Sequence, residues 1–387
     1  MWALIAVGFV GRVVLAFKTY GVAYDIDSLK SVRDALAAHP LHVYSAVNGP
    51  HLKHWPYPPG FFPFIWVASK VSTLTGLPFH GWIQLPQIVA DCAIAWLVQD
   101  FIGRRGASER MRIAAAALVT FGPSFWIISG YHGQIDAAAI LPAVLALWLW
   151  DRMPPGPRRA LAAGLLIGVG AAIKSVPELM LIALLPAVRS RREAVALVLP
   201  AIAIPLIASA PFLIADHGAL HAVRHSRFLP GFGGISLLAQ PNLASNWLHN
   251  GAHPASALSR FLLDHEIVIL VALMAPFLAL VLVRRPEPVL AAALLWSALL
   301  VLNLGFEFEF VVWALPFALM AGWLWQVAVV EAVLLPPAAL LYWHPFGRPP
   351  TALYVAFMIP AWCIAAAALV TLAVRVGRQG PAERSYM

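Results

Sequence analysis

Charged residues cut this chain into a dozen apolar stretches, and that pattern restricts its fold more than any other feature. Runs such as 194–215, 266–283 and 352–374 carry at most one ionised side chain. They approach the roughly 20 residues that a helix needs to cross about 30 Å of hydrocarbon. Of the 387 residues 61% are hydrophobic and only 11% charged, a balance outside the range of soluble domains. The expected fold class is an all-α polytopic membrane protein, a single integral membrane domain over residues 1–387 with about twelve transmembrane helices.

Candidate spans lie at about 2–18, 83–102, 112–129, 137–151, 159–173, 176–189, 194–215, 266–283, 289–305, 311–325, 327–343 and 352–374. With that set every arginine-rich short loop falls on one face, from Arg104/Arg105 and Arg158/Arg159 to Arg284/Arg285 and the tail with Arg375. The positive-inside rule makes that face cytoplasmic, together with both termini. The same rule accounts for the formal charge of +8, which would otherwise suggest nucleic acid as a partner. Cys92 and Cys363 both lie inside spans, so neither a disulfide framework nor a zinc site is expected. Residues 2–17 lack a basic start and a cleavage site and contain Arg12, so they read as a first span, not a signal peptide. The apolar run Phe61–Leu74 is about 14 residues long with Pro63 near its start, which suits an interfacial helix better than a crossing.

This topology sends two large loops, 19–82 and 216–265, to the non-cytoplasmic face with the unusual chemistry. The first opens with Tyr24-Asp25-Ile26-Asp27, then an amphipathic segment with Leu29, Val32 and Leu36 on one face and Lys30, Arg33 and Asp34 on the other. Two carboxylates at a membrane interface suit a general base or a metal ligand; the plainer reading is a pair of solvated acids at a helix end. Tyr131-His132-Gly133-Gln134-Ile135-Asp136 forms a short polar turn between spans. Asp136 is placed to cap the next helix, but His132 and Gln134 exceed what capping requires. Lys174 sits where two short spans meet, either snorkelling to the interface or anchoring a phosphate. In the second loop Arg227 can bind phosphate or simply be solvated, and His217, His221 and His225 show no metal pattern. Within the spans, Arg12 and Asp91 lie at depths that agree to roughly 3 Å, which predicts an intramembrane ion pair. Glu307 and Glu309 alternate with phenylalanines and suit a cavity lining or an interfacial belt equally.

In shared order over about residues 20–250, these pieces resemble the GT-C glycosyltransferases, most closely the dolichyl-phosphate-glucose glucosyltransferases of N-glycan assembly. Asp25-Ile26-Asp27 stands where that family has D-x-E, and its D-x-D form is similar to that of the glycosylphosphatidylinositol mannosyltransferases. Tyr57-Pro58-Pro59-Gly60 resembles Y-P-P-L, and Ala90-Asp91 resembles A-D. His132 to Asp136 resembles H-x-Q-x-N, with Asp136 replacing the asparagine. Lys174 to Pro186 resembles a lysine followed by an apolar helix ending in proline, and Arg227 to Pro230 followed by Asn246-Trp247 resembles R-x-F-P-F…N-F-W.

The resemblance implies interfacial helices in the first outer loop and inverting transfer of a hexose, mannose or glucose. The donor is a polyprenyl-phosphate-linked hexose and the acceptor a lipid- or glycan-linked hydroxyl, on the periplasmic or otherwise extracytoplasmic face. It makes Asp25 and Asp27 catalytic, with Asp25 as base. His132, Lys174 and Arg227 hold the donor phosphate, and Gln134, Asp136 and Tyr57 contact substrate. Lysine, arginine and histidine suffice for the phosphate, so a divalent metal is compatible but not required. The rival class is a secondary transporter or a flippase for lipid-linked sugars. Such proteins place their binding residues near the midplane on repeated, broken helices, and no repeat is visible here.

Overall fold

A computed structural model describes residues 1–48, 55–216, 218–219, 233–241, 257–343 and 350–378, which are helical throughout with no strand among them. Helices occur at each of the twelve expected positions. Among the described residues six helices are long and apolar enough to cross a membrane: Phe79–Arg104, Glu109–His132, Arg191–Ala215, Glu266–Arg284, Leu324–Tyr342 and Thr351–Arg378. A seventh is added if the bent pair Trp2–Lys18 and Ala23–Ala38 counts as one span. The chain is an integral membrane protein. Several remaining helices are shorter, such as Asp136–Arg152 and Pro157–Ile173 at 17 residues and Pro288–Leu302 at 15. Residues 176–189, expected as a span, form a broken helix over Val176–Ala187.

Two compact units emerge, one of Met1–Leu181 with Val188–Ser226 and one of Ile182–Ala187 with Arg227–Met387. The first begins with α1 (Trp2–Lys18) and α2 (Ala23–Ala38), which meet at 79°. Next come the short α3 (Val43–Val47) and the 14-residue α4 (Phe62–Thr75), opened by proline and closed by the left-handed Gly76. α4 is the apolar run that length argued against as a crossing. α5 (Phe79–Arg104) and α6 (Glu109–Phe121) follow, the latter capped by the Ser108 side chain.

The first large loop folds onto a core of its own. Ile26, Leu29 and Val32 of α2 pack with Tyr44, Trp55, Phe61, Phe62 and Ile65, and with Ile135 and Ile173 from the helix ends behind. This is the face expected from the spacing of Leu29 and Val32, and burying it fixes the rotation of α2 about its axis. At the other end of this unit Arg104 and Arg105 reach Asp151, gathering two of the basic loops expected on one face.

In the second unit, Trp296 and Phe317 are fully buried with ring centroids 4.3 Å apart. Phe306, Phe308 and Phe310 are buried there as well, and so is Glu309. These phenylalanines pack inward and do not form an interfacial belt.

Candidate functional site

The site is built where α1 turns into α2. Gly21 has φ +83°, and a Cβ there would lie 2.5 Å from the carbonyl of Tyr131. Only glycine permits both that backbone conformation and that approach. Opposite, the chain widens into a π-turn over Trp126–His132 and reverses at Gly133, φ +88°, where a Cβ would strike Ile26 at 2.6 Å. Two glycines therefore let the first turn of α2 seat against the 131–136 turn.

That seating brings three sequence-predicted residues together. The Asp25 Oδ2 lies 2.7 Å from His132 Nε2, and Gln134 Nε2 donates to Asp25 Oδ1 at 2.6 Å. His132 and Gln134 are buried, while the Asp25 side chain keeps 17% exposure. With both oxygens engaged, the carboxylate is held in one orientation.

Asp27 is not part of this group. Residues i and i+2 of a helix point about 200° apart, so the two acids of the D-x-D leave α2 on different sides. Asp27 accepts from the Tyr20 hydroxyl, which in turn accepts from the Lys30 ammonium.

A second group forms behind the first. Lys174, the extended residue that ends Pro157–Ile173, donates to Asp136 Oδ1 at 2.7 Å and lies 4.8 Å from the centroid of the Tyr57 ring. Neither member of this ion pair exposes more than 6% of its side chain. Lys174 is therefore buried and paired; it does not snorkel. Asp136 is the first residue of Asp136–Arg152, with Ile135 at the cap position, and its carboxylate meets the lysine. Tyr57 is held by its carbonyl, which accepts from the Tyr44 hydroxyl at 2.8 Å. Close behind, a Cβ on Gly60 would sit 2.4 Å from the carbonyl oxygen of Ala172. The Pro58-Pro59-Gly60 turn thus presses against the helix end that carries Lys174. Arg227, His217, His221 and His225 lie outside the described residues.

Among the described residues no group of three or more His, Cys, Asp and Glu could hold a metal ion. The predicted pair inside the bundle is present: Arg12 Nη1 lies 3.5 Å from Asp91 Oδ2, both fully buried. Arg12 also donates to the carbonyls of Val119 and Thr120 at 2.7 Å. Sequence reasoning missed the stripe to which Asp91 belongs. His80, Gln84, Gln87 and Asp91 follow at helical spacing on one face of α5, and the last three are fully buried. Their spacing inside an apolar run was the available signal. Tyr20 was missed because only the bend between α1 and α2 brings it to Asp27 and Lys30.

The site thus holds a carboxylate engaged on both oxygens and a buried lysine–aspartate pair, carried by helices apolar enough to cross a membrane. The chain belongs to glycosyltransferase family 87, whose family model matches residues 55–304. That range includes Tyr57, His132, Gln134, Asp136, Lys174 and Arg227 and begins after Asp25 and Asp27. No curated protein matches the chain at a significant level. Among solved structures it is similar to the archaeal oligosaccharyltransferase AglB from Archaeoglobus fulgidus, in complex with an inhibitory peptide and a dolichol-phosphate. The two are 13% identical with a TM-score of 0.42, over 99% of this chain and 56% of that one. The chain thus spans about half the length of that structure.

Proposed function

We propose that this glycosyltransferase moves a hexose, mannose or glucose, from a polyprenyl-phosphate-linked donor to a hydroxyl of a lipid- or glycan-linked acceptor. Transfer inverts the anomeric centre and takes place on the non-cytoplasmic face of a protein with both termini in the cytoplasm. The observation that carries this reading is the Asp25 carboxylate fixed between His132 and Gln134.

The acceptor hydroxyl gives its proton to Asp25 as its oxygen forms the new bond to the anomeric carbon. The bond from that carbon to the phosphate oxygen breaks, and its electron pair leaves with polyprenyl phosphate. A phosphate is already a stable anion, so the leaving group needs no general acid. His132 and Gln134 keep the carboxylate aimed, which is where positioning contributes most to such a step. Lys174, steadied by Asp136 and Tyr57, supplies positive charge to the phosphate from a site shielded from water, where each charge counts for more than in solution. Arg227 and His132 are the other proposed phosphate ligands.

The test uses purified enzyme in detergent with short-chain polyprenyl-phosphate-mannose or -glucose and a panel of acceptors, following released polyprenyl phosphate. Asp25→Asn should lower turnover by about 10²–10⁴-fold while donor binding persists. Undiminished release in that variant overturns the assignment of the base. Scrambling of labelled lipid without release from either donor would point to a flippase.

A further inference from the structure

The helix Arg191–Ala215 ends at Asp216, where the second large loop begins, and there it grips the first. Asp216 is 2% exposed, and each of its carboxylate oxygens accepts a backbone N–H. Oδ2 takes that of Ser45 in α3 and Oδ1 that of Gly218, both at 2.9 Å. Bonds from amides to a carboxylate are of the stronger kind. A Cβ on Gly218 would stand 2.9 Å from the Cα and the backbone nitrogen of Ser45, so the chain closes on α3 without room for a side chain. One turn earlier on the helix, Phe212 packs edge-on against the rings of Tyr44 and Phe62, with centroids 5.9 and 5.3 Å away. The end of Arg191–Ala215 therefore holds α3 by a polar contact and an apolar one.

From α3 the hold extends to the buried lysine. The Tyr44 hydroxyl donates to the Tyr57 carbonyl, and the Tyr57 ring lies over the Lys174 ammonium. Asn48, at the end of α3, makes a second tie to the same segment. Its side chain accepts from the Trp55 N–H at 2.7 Å and donates to the Trp55 carbonyl at 3.2 Å. The Trp55 ring in turn meets that of Tyr57 edge to face at 5.1 Å. We infer that Asp216 is a positioning residue for Lys174: by fixing α3 it sets the Tyr57 ring over the ammonium that serves the donor phosphate. This rests on the reading of Lys174 as a phosphate ligand given above. It adds that a residue of the second large loop shares in donor binding without touching the donor.

The experiment measures the Kd of short-chain polyprenyl phosphate for the full-length enzyme in detergent, by tryptophan fluorescence, at a temperature below the unfolding of every variant. Tyr57→Leu removes the ring and should weaken binding about 3–30-fold, the worth of one cation–π contact. Asp216→Ala should weaken it about 3–10-fold, and Tyr44→Phe, which breaks only the bond to the Tyr57 carbonyl, by a similar factor. Asp216→Asn keeps one acceptor oxygen; it should show a smaller loss, and it carries the test if the alanine variant does not fold. The deciding measurement is the double variant: once the Tyr57 ring is gone, Asp216→Ala should change the Kd by less than about twofold. In turnover, Asp216→Ala should raise the donor KM and leave the acceptor KM as it is. Lys174→Met checks the underlying reading, and native affinity in that variant removes the phosphate role of Lys174 and the positioning role with it. Weakened binding in Lys174→Met with native affinity in both Asp216 variants, or in Tyr57→Leu, overturns the positioning role alone. So does a loss in Asp216→Ala that multiplies in full with that of Tyr57→Leu, which is the result a merely structural role would give.

Discussion

Replacing Asp136 with asparagine tests whether Lys174 serves the donor phosphate. In the native protein the ammonium and carboxylate are 2.7 Å apart and almost wholly buried. At an effective dielectric of about 20 their attraction is about 6 kcal/mol, set against the desolvation of both charges. Truncating one partner of such a pair costs about 3–5 kcal/mol, because the other charge stays buried. For a compact unit of about 200 residues each kcal/mol moves the Tm by about 2–4 °C, so Asp136→Asn should unfold about 6–20 °C below the native enzyme. A donor phosphate can then replace the missing carboxylate. Short-chain polyprenyl phosphate at 100 times its Kd stabilises any binder by about 2.7 kcal/mol. The variant should bind it more tightly than the native enzyme and therefore recover more of its Tm at a given concentration. Thermal unfolding in detergent, followed by tryptophan fluorescence over a ligand titration, measures both effects. Lys174→Met should lose stability by a similar amount and gain little from the ligand. Equal shifts in the native enzyme and both variants would refute a role for Lys174 in holding phosphate.

Two further outcomes follow from buried groups away from the reacting centre. Arg12→Met and Asp91→Leu should each destabilise the protein by about 3–5 kcal/mol. The double variant should cost at least about 2 kcal/mol less than their sum, and strict additivity in denaturant unfolding would show that the two are not coupled. Tyr44 is held by its bond to the Tyr57 carbonyl, and burial first, then the Asp216 charge, raises its phenol above the ordinary 10.0. A folded-state value above the unfolded one gives stability that is full below about pH 10 and declines as pH rises beyond it. Tyr44→Phe should lose about 1 kcal/mol at about pH 8 and show a shallower alkaline fall in Tm, whereas parallel curves would contradict the linkage.

The helix positions were legible because apolar runs bounded by charge or proline leave little freedom. Residues 2–18 and 266–283 correspond to Trp2–Lys18 and Glu266–Arg284. The Arg12–Asp91 pair was legible for a related reason: two costly charges at matching depth in lipid have few partners to choose from. How many helices are long enough to cross was less legible. Hydropathy registers an apolar run but not the broken turns that shorten the helix over 176–187. Of the site, the chemistry of the residues could be read and their grouping could not. Asp25 and Asp27 look like a pair in sequence and part company on the helix, while Asp136 looks like a cap and proves to be a counter-ion.

The sequence by itself determined a helical membrane protein, since no other fold satisfies the backbone of so many uncharged runs. It also supplied an acid, an imidazole, an amide and a lysine of the kinds that the proposed transfer uses. Only the tertiary structure decided which of them meet. Asp25 and His132 are 107 positions apart, and Asp136 and Lys174 are 38 apart. Contacts of that range depend on how α2 is rotated by its buried face, on how closely Gly21 and Gly60 let backbones approach, and on the room that Gly133 leaves for the Ile26 side chain. No local pattern encodes either, because both are set by the packing of elements distant in sequence.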